Sequence, residues 1–308
     1  MSKCFDTLCI SGGGTKGIAF LGAIKALCDS EIIDMKNIDT LIGTSMGGII
    51  CFLLSINYEI SELIYFAESF NFEIMTPNIN IEKTILNYGL DSGDKLYFVL
   101  TKFLEQKTKK TNLTMKEHYE LTKKKLIVSV TNYSTGFVEY ISYENYPNLP
   151  IILACRMTSC LPLYFVPVKI NLEDWKFYTN SDQKCEHNEF IFLDGGILDN
   201  FPIQLGSNET TIGILMNNSD SIYECDSIVK FLSSIVGMTT HFMICHKLNN
   251  HKNIINLKIT NVEVVKLKMN KKFKKKLIDQ GYMQTLDYVR NNLEQLMRKV
   301  IDDIIDNF

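Results

Sequence analysis

Ser45 lies at the centre of Gly43-Thr44-Ser45-Met46-Gly47, which follows a short apolar strand, Thr40-Leu41-Ile42, and runs into a helix-like stretch from Gly48 to Ser55. A G-x-S-x-G pentapeptide between a strand and a helix is the sequence form of a nucleophile elbow. The turn holds the serine in a strained backbone conformation where neighbouring Cβ atoms would collide, hence the flanking glycines Gly43 and Gly47. Such a turn exists only at a strand-to-helix junction, so it demands an α/β chain. The pattern alone arises by accident in roughly one chain in ten of this length. Company strengthens it: more than half of the 17 glycines fall in three short stretches, Gly12-Gly13-Gly14-Thr15-Lys16-Gly17, Gly43 to Gly48, and Asp194-Gly195-Gly196.

The first 60 residues alternate: strand 5–10, the glycine loop, an amphipathic helix from about Gly17 to Ser30, strand 40–42, the elbow, and helix 46–56. Strands separated by helical runs indicate parallel βαβ units in a sheet covered on both faces. Residues 59–124 read as a mostly helical insertion, suited to a lid or pocket wall. Strands resume at Lys125 to Thr131 and Phe137 to Ile141, then at Leu163 to Val168, Glu189 to Leu193, Thr211 to Leu215 and Ile254 to Ile259. Lys271 to Asn307 is one long helical pattern. The reading is a three-layer α/β/α fold with a mostly parallel central sheet, in which 5–206 form the catalytic domain and 207–308 a mixed α/β extension packed on it.

A chain of 308 residues with 46% hydrophobic content can bury a full core. Its net charge of −3 and pI near 6.0 give no global attraction to nucleic acid, so no nucleic-acid partner is expected. Nine cysteines without a C-x-x-C pair read as reduced, small hydrophobes of a cytosol-like compartment. The N-terminus reaches its first strand with no room for a signal peptide, so secretion by that route is not expected. Abundant Ile, Lys and Asn with six prolines fits an A/T-rich genome such as a parasite's or a large virus's. Ile228 to Leu248 has the length of a membrane span but carries Lys230, His241 and His246. It reads as an amphipathic helix with Ile228, Phe231, Leu232, Ile235, Met238 and Phe242 on one face.

Acyl transfer needs a nucleophile, a base and donors for an oxyanion. Ser45 supplies the first. The glycine loop supplies the donors, because it presents N–H groups near a helix N-terminus. For the base, a conventional triad would place a histidine after its acid. His241, His246 and His251 are the candidates, and none has a glycine-bearing or turn-like context. His118 and His187 precede the acid and read as surface residues. Asp194, by contrast, ends the strand Phe190-Ile191-Phe192-Leu193 and is followed by two glycines, and functional side chains converge at the carboxyl ends of strands in a parallel sheet. No His/Asp/Glu cluster has metal-ligand spacing, so neither metal nor cofactor is expected.

These three blocks resemble, in order and at similar separations, the signatures of the patatin-like phospholipase family. Met157-Thr158-Ser159-Cys160-Leu161-Pro162 is similar to the family's small-residue segment before a proline, with Leu161 where a small residue is usual, and Asp199-Asn200-Phe201-Pro202 to the stretch after its acid. The resemblance covers residues 5 to 206. It implies a lipid acyl hydrolase with a Ser45–Asp194 dyad, Gly195 and Gly196 completing the acid block. Gly12, Gly13, Gly14, Thr15, Lys16 and Gly17 form the oxyanion loop, centred on Gly13 and Gly14, and Lys16 adds positive potential. A phospholipid or other glycerolipid would be the substrate.

Other readings stay open at this level. Gly12, Gly14 and Gly17 also satisfy G-x-G-x-x-G, but the acid a dinucleotide site needs at the end of the second strand is replaced by the elbow. A non-catalytic lipid binder on the same fold and a Ser-Asp-His esterase are the remaining alternatives. Seven lysines within Lys266 to Lys276 read either as solvated surface or as a patch for peripheral contact with anionic membranes.

Overall fold

The computed structural model describes residues 5–77, 81–179, 188–217, 251–260 and 264–306, together with 237, 238, 240, 242–244, 247 and 262. Its centre is a sheet in which β1 (Thr7–Ile10), β2 (Thr40–Thr44) and β4 (Lys125–Asn132) run parallel, with β9 (Thr211–Asn217) and β10 (Ile254–Lys258) parallel on the other side of β1. The glycine loop and α1 (Ile18–Asp29) make the crossover between β1 and β2, as the alternation of strand and helix predicts. Strands β1, β2, β4 and β9 are buried along nearly their whole length, which is why they read as continuous apolar runs. Their alternate residues still sort to two faces. Leu8, Ile10, Leu41, Val128 and Ile214 join the larger core, whereas Cys9, Ile42, Ile127 and Leu215 meet Phe201, Ile203 and Ile244 on the other side.

After β4 the sheet changes sense. Strands β5 (Phe137–Ile141) and β8 (Glu189–Asp194) both pair antiparallel with β4, and β7 (Val168–Asn171) pairs antiparallel with β8. The expected single strand over 163–168 is two short ones, β6 (Leu163–Phe165) and β7, broken around Pro167, which cannot donate to a ladder. Nor is the insertion wholly helical. Between α4 (Ile81–Asn87) and α5 (Asp94–Thr108) it contains β3 (Gly89–Asp91), which pairs parallel with β6. Helices α3 (Ile60–Ser69) and α6 (Met115–Thr122) open on capping boxes, Glu59 with Glu62 and Thr114 with Glu117. Two helices escape the sequence reading, α7 (Ile151–Thr158) and α8 (Leu172–Thr179). Each is only eight residues long, too short to show a helical period.

Most of the apolar run 228–248 lies outside the described residues, so the amphipathic face expected there has no structural account. Among the described residues no helix is long and apolar enough to cross a membrane.

The C-terminal helix α9 (Lys271–Asp306) packs on α1 closely enough for backbone to meet backbone, while its Leu277 and Ile278 join the core. A Cβ built at Gly281 would overlap the carbonyl oxygen of Ala19, and one at Gly22 would overlap that of Ile278. The two glycines are thus the crossing point of the helices. Overpacking a tight core costs ~1–3 kcal/mol, and the obstacle here is backbone that cannot rotate away. Gly281→Val should therefore lower unfolding stability by ~3 kcal/mol in a urea titration. A midpoint equal to that of the parent would mean that α9 does not seat on α1 in this way.

Candidate active site

Ser45 stands between β2 and α2 (Met46–Ser55) with φ 53° and ψ −124°, a conformation costly for a residue with a Cβ. The surrounding backbone leaves no alternative. A Cβ on Gly43 would lie 2.6 Å from the Gly47 carbonyl carbon and the Gly48 nitrogen, and one on Gly47 would strike the Ser11 and Ile10 carbonyls. The Ser45 N–H donates to Thr158 Oγ1 (3.0 Å), and the Thr158 hydroxyl donates in turn to the Ser129 carbonyl (2.6 Å).

Asp194 reaches the same place by a route that differs from the expected one. Functional groups usually gather at the carboxyl ends of parallel strands, but β8 is antiparallel to β4. It pairs with only the last residues of β4, so its final residue, Asp194, sits opposite Val130, one step beyond the Ser129–Thr44 pair that precedes the elbow. The Asp194 N–H donates to the Cys160 carbonyl (2.8 Å), and its carbonyl accepts from Thr131 Oγ1 (2.9 Å).

The Asp194 carboxyl is 4% exposed, and burial pushes its pKa up to about 6. Two groups oppose that rise by favouring the anion. The Gly196 N–H donates to Oδ1 at 2.7 Å, and the Ser45 hydroxyl lies nearby.

The glycine loop folds over the elbow, where a Cβ on Gly12 would lie 3.4 Å from Ser45 Cβ. Not all of its N–H groups are available. That of Gly12 donates to the Asn200 carbonyl (3.0 Å) and that of Thr15 to the Val264 carbonyl (2.8 Å), which leaves Gly13 and Gly14 with no protein acceptor among the described residues. Gly14 has φ 52°, and a Cβ there would collide with Val264. Gly17 packs on Met46 equally closely. Lys16 is buried at 5% exposure, and desolvation lowers its pKa.

An apolar cavity of about 220 Å³ opens from Ser45. Ile49 and Leu53 of α2 form its floor, while Phe66 of α3, Leu100 and Phe103 of α5, and Leu161 wall it. The helical insertion is thus a pocket wall, and Leu161 projects into the space where its size matters. Asp199, behind the site, was legible only as part of a resembling stretch. It is buried, accepts from Tyr140 (2.7 Å), Gln204 (2.6 Å), Lys247 (2.5 Å) and the Phe201 N–H (3.1 Å), and so fixes the turn that carries Asn200 against Gly12.

The two described histidines, His118 and His251, fall away from this centre. His118 is not a surface residue. It is 1% exposed and bonded to Ser55 Oγ at 2.8 Å, at the far end of α2, about 15 Å along the helix from Ser45. His251 precedes β10, at the edge of the parallel strands opposite to the elbow. His187, His241 and His246 lie outside the described residues.

The lysine run is not uniform either. Lys274 is 3% exposed, donates to the Phe70 carbonyl (2.8 Å) and lies over the Phe72 ring, because α9 packs its first turn against the end of α3. Lys266 is half-buried with its Nζ over Phe273, while Lys268, Lys271, Lys272, Lys275 and Lys276 are exposed.

Known proteins share part of this sequence and its fold. The probable lipid hydrolase 463L of Invertebrate iridescent virus 6 is 32% identical over 208 residues, 66% of this chain and 63% of that protein. An uncharacterised protein of Acanthamoeba polyphaga mimivirus is 29% identical over 215 residues, 68% of this chain and 65% of its own length. The match therefore spans just under two thirds of either relative. Among solved structures, VipD from Legionella pneumophila superposes with TM-score 0.64 at 17% identity, covering 93% of this chain and 67% of that one. ExoU from the type III secretion system of Pseudomonas aeruginosa, in complex with SpcU, gives 0.51 at 11%, covering 93% and 52%. Both likenesses speak to fold. A family model for patatin-like phospholipase matches residues 8–206, the stretch that holds the elbow, the glycine loop and Asp194, and the chain belongs to that family.

Proposed function

We propose that this protein is a lipid acyl hydrolase that cleaves carboxylic esters of phospholipids or related glycerolipids, with Ser45 as nucleophile and Asp194 as the base that activates it. One observation carries the reading: a buried carboxylate beside an elbow serine at the mouth of an apolar cavity, with no histidine among the described residues near either. A carboxyl with a pKa of about 6 is ionised at neutral pH yet basic enough to take a proton in the transition state.

Ser45 Oγ would attack the ester carbonyl as its proton passes to Asp194. The tetrahedral oxyanion would meet the N–H groups of Gly13 and Gly14, at the positive end of the short helix leading into α1. Collapse expels the alcohol, which takes the proton back from Asp194 and leaves an acyl-Ser45 ester. Water, deprotonated by the same carboxylate, then releases the fatty acid. The apolar cavity would hold the acyl chain.

Ser45→Ala should abolish both release of fatty acid from a mixed lipid extract and labelling by a fluorophosphonate probe. Asp194→Asn should reduce hydrolysis by ~100-fold or more. Persistent labelling of Ser45→Ala, or loss of activity with His251→Ala comparable to that of Asp194→Asn, would overturn the dyad. A protein that only binds lipid would leave the probe unreacted.

Asp194→Asn also has a stability signature. The folded pKa of Asp194 lies above the unfolded value, so its stabilising contribution is full below pH ~4 and is lost as pH rises through about 6. Ionising it at pH 8 opposes folding by up to about 3 kcal/mol, and the neutral amide avoids that cost. The variant should therefore be at least as stable as the parent at pH 8 by thermal melting, and a clear drop in Tm would contradict a desolvated carboxylate.

The peripheral membrane contact is proposed for the exposed lysines only. Leu267 lines the cavity and Lys268 follows it in the chain, with Lys272, Lys275 and Lys276 on the first turns of α9. Each lysine near an anionic surface contributes about 1 kcal/mol before screening. Changing these four to Gln should weaken sedimentation with phosphatidylserine liposomes and spare turnover of a soluble ester. Equal sedimentation at low and moderate salt would leave them as solvated surface.

A further inference from the structure

The C-terminal end of α7 touches both members of the proposed dyad. The Thr158 hydroxyl accepts the N–H of Ser45 at 3.0 Å and donates to the Ser129 carbonyl at 2.6 Å, and two residues later the Cys160 carbonyl accepts the N–H of Asp194 at 2.8 Å. Thr158 is fully buried. Two residues before Thr158, the buried Arg156 guanidinium donates to the carbonyls of Ser92 (3.1 Å) and Val166 (2.8 Å), just after β3 and β6, and so ties α7 to the cavity wall.

We propose that Thr158 is a positioning residue for the reaction, which sets the Ser45 hydroxyl against the Asp194 carboxyl by holding the nucleophile's own N–H. This rests on the Ser45–Asp194 reading above. The elbow conformation of Ser45, with φ 53°, turns its N–H away from the ladder that β2 makes with β4, and away from the first-turn bonds of α2. A buried N–H with no acceptor is unfavourable, so something must meet it. A threonine can do so only if its own proton goes elsewhere, and the Ser129 carbonyl takes it. The hydroxyl thus links the end of β2, through Ser45, to β4, through Ser129, while the Cys160 carbonyl two residues later holds the end of β8 through Asp194. The separation of nucleophile and base is then a property of the five residues 156–160, and small displacements at such a pair cost rate rather than binding. Thr158 is absent from the walls of the apolar cavity, so loss of its hydroxyl should not change how the acyl chain is held. The arrangement also commits the Ser45 N–H, so that group is not a donor to the oxyanion.

The test is a series at one position, Thr158→Ser, Thr158→Cys and Thr158→Val, read on a soluble short-chain ester and by the saturating rate of fluorophosphonate labelling at Ser45. Serine keeps the bridge, cysteine keeps the volume with a poor acceptor, and valine keeps the shape alone. The expected order is parent and Ser together, Cys lower, and Val lowest, with kcat and the labelling rate of Val down ~30-fold or more and KM within twofold. A Val variant labelled within threefold of the parent rate overturns the proposal, as does a Ser variant as impaired as Val. A loss confined to KM overturns it too. If Val does not yield folded protein, the comparison of Ser with Cys decides: equal rates contradict a role for the acceptor. Failure of the parent itself to be labelled at Ser45 would count against the dyad and the positioning role together.

Discussion

The backbone at Ser45 is the constraint around which the site is arranged. A residue with a side chain is held at φ 53° because β2 must turn into α2 with no intervening loop, and the turn is so tight that a Cβ on Gly43 would lie 2.6 Å from the Gly47–Gly48 peptide. Strain of this kind persists only where the surroundings over-determine it. Here Thr158 holds the Ser45 N–H, the Ile10 and Ser11 carbonyls press on Gly47, and the glycine loop closes from above under the Val264 carbonyl. The elements that supply those contacts come from the whole length of the chain.

That dependence explains what could be read directly. The elbow, the glycine loop and Asp194 stand out because each needs glycine where backbone approaches closely in the fold, and the α/β alternation of the first 60 residues follows from strands buried on both faces. The supports were harder to see. Thr158 looks like any small polar residue until α7 places it at the elbow, and an eight-residue helix shows no period. His118 reads as exposed in a charged stretch, but its burial against Ser55 comes from how α6 packs, which is tertiary information. Lys274 is hidden in a run of lysines because charge density says nothing about which member of a helical turn faces inward. The direction of β8 was likewise invisible: β8 has the same composition whether it lies parallel or antiparallel to β4.

The electrostatics of Asp194 tie the site to the fold. Burial raises its pKa, and the Gly196 N–H and the nearby Ser45 hydroxyl pull it partly back, so the group sits near 6 rather than at either extreme. A more solvated carboxylate would be too weak a base to deprotonate an alcohol, and a fully unsupported one would be protonated at neutral pH. The adjacent glycines permit this compromise, since a Cβ on Gly195 would strike the Ser129 backbone and one on Gly196 would lie 2.8 Å from Asn200 Oδ1. The same Asn200 anchors Gly12, so Asp194 and the glycine loop share one support.

The central claim is that a carboxylate, with no imidazole, activates Ser45. The pH dependence of kcat/KM on a soluble ester between pH 4 and 9 tests it most directly. The account predicts a single rising limb with an apparent pKa near 6, set by ionisation of Asp194, and a residual activity in Asp194→Asn that lacks this limb. A limb near pH 7 that survives Asp194→Asn and disappears when a histidine is replaced would contradict it.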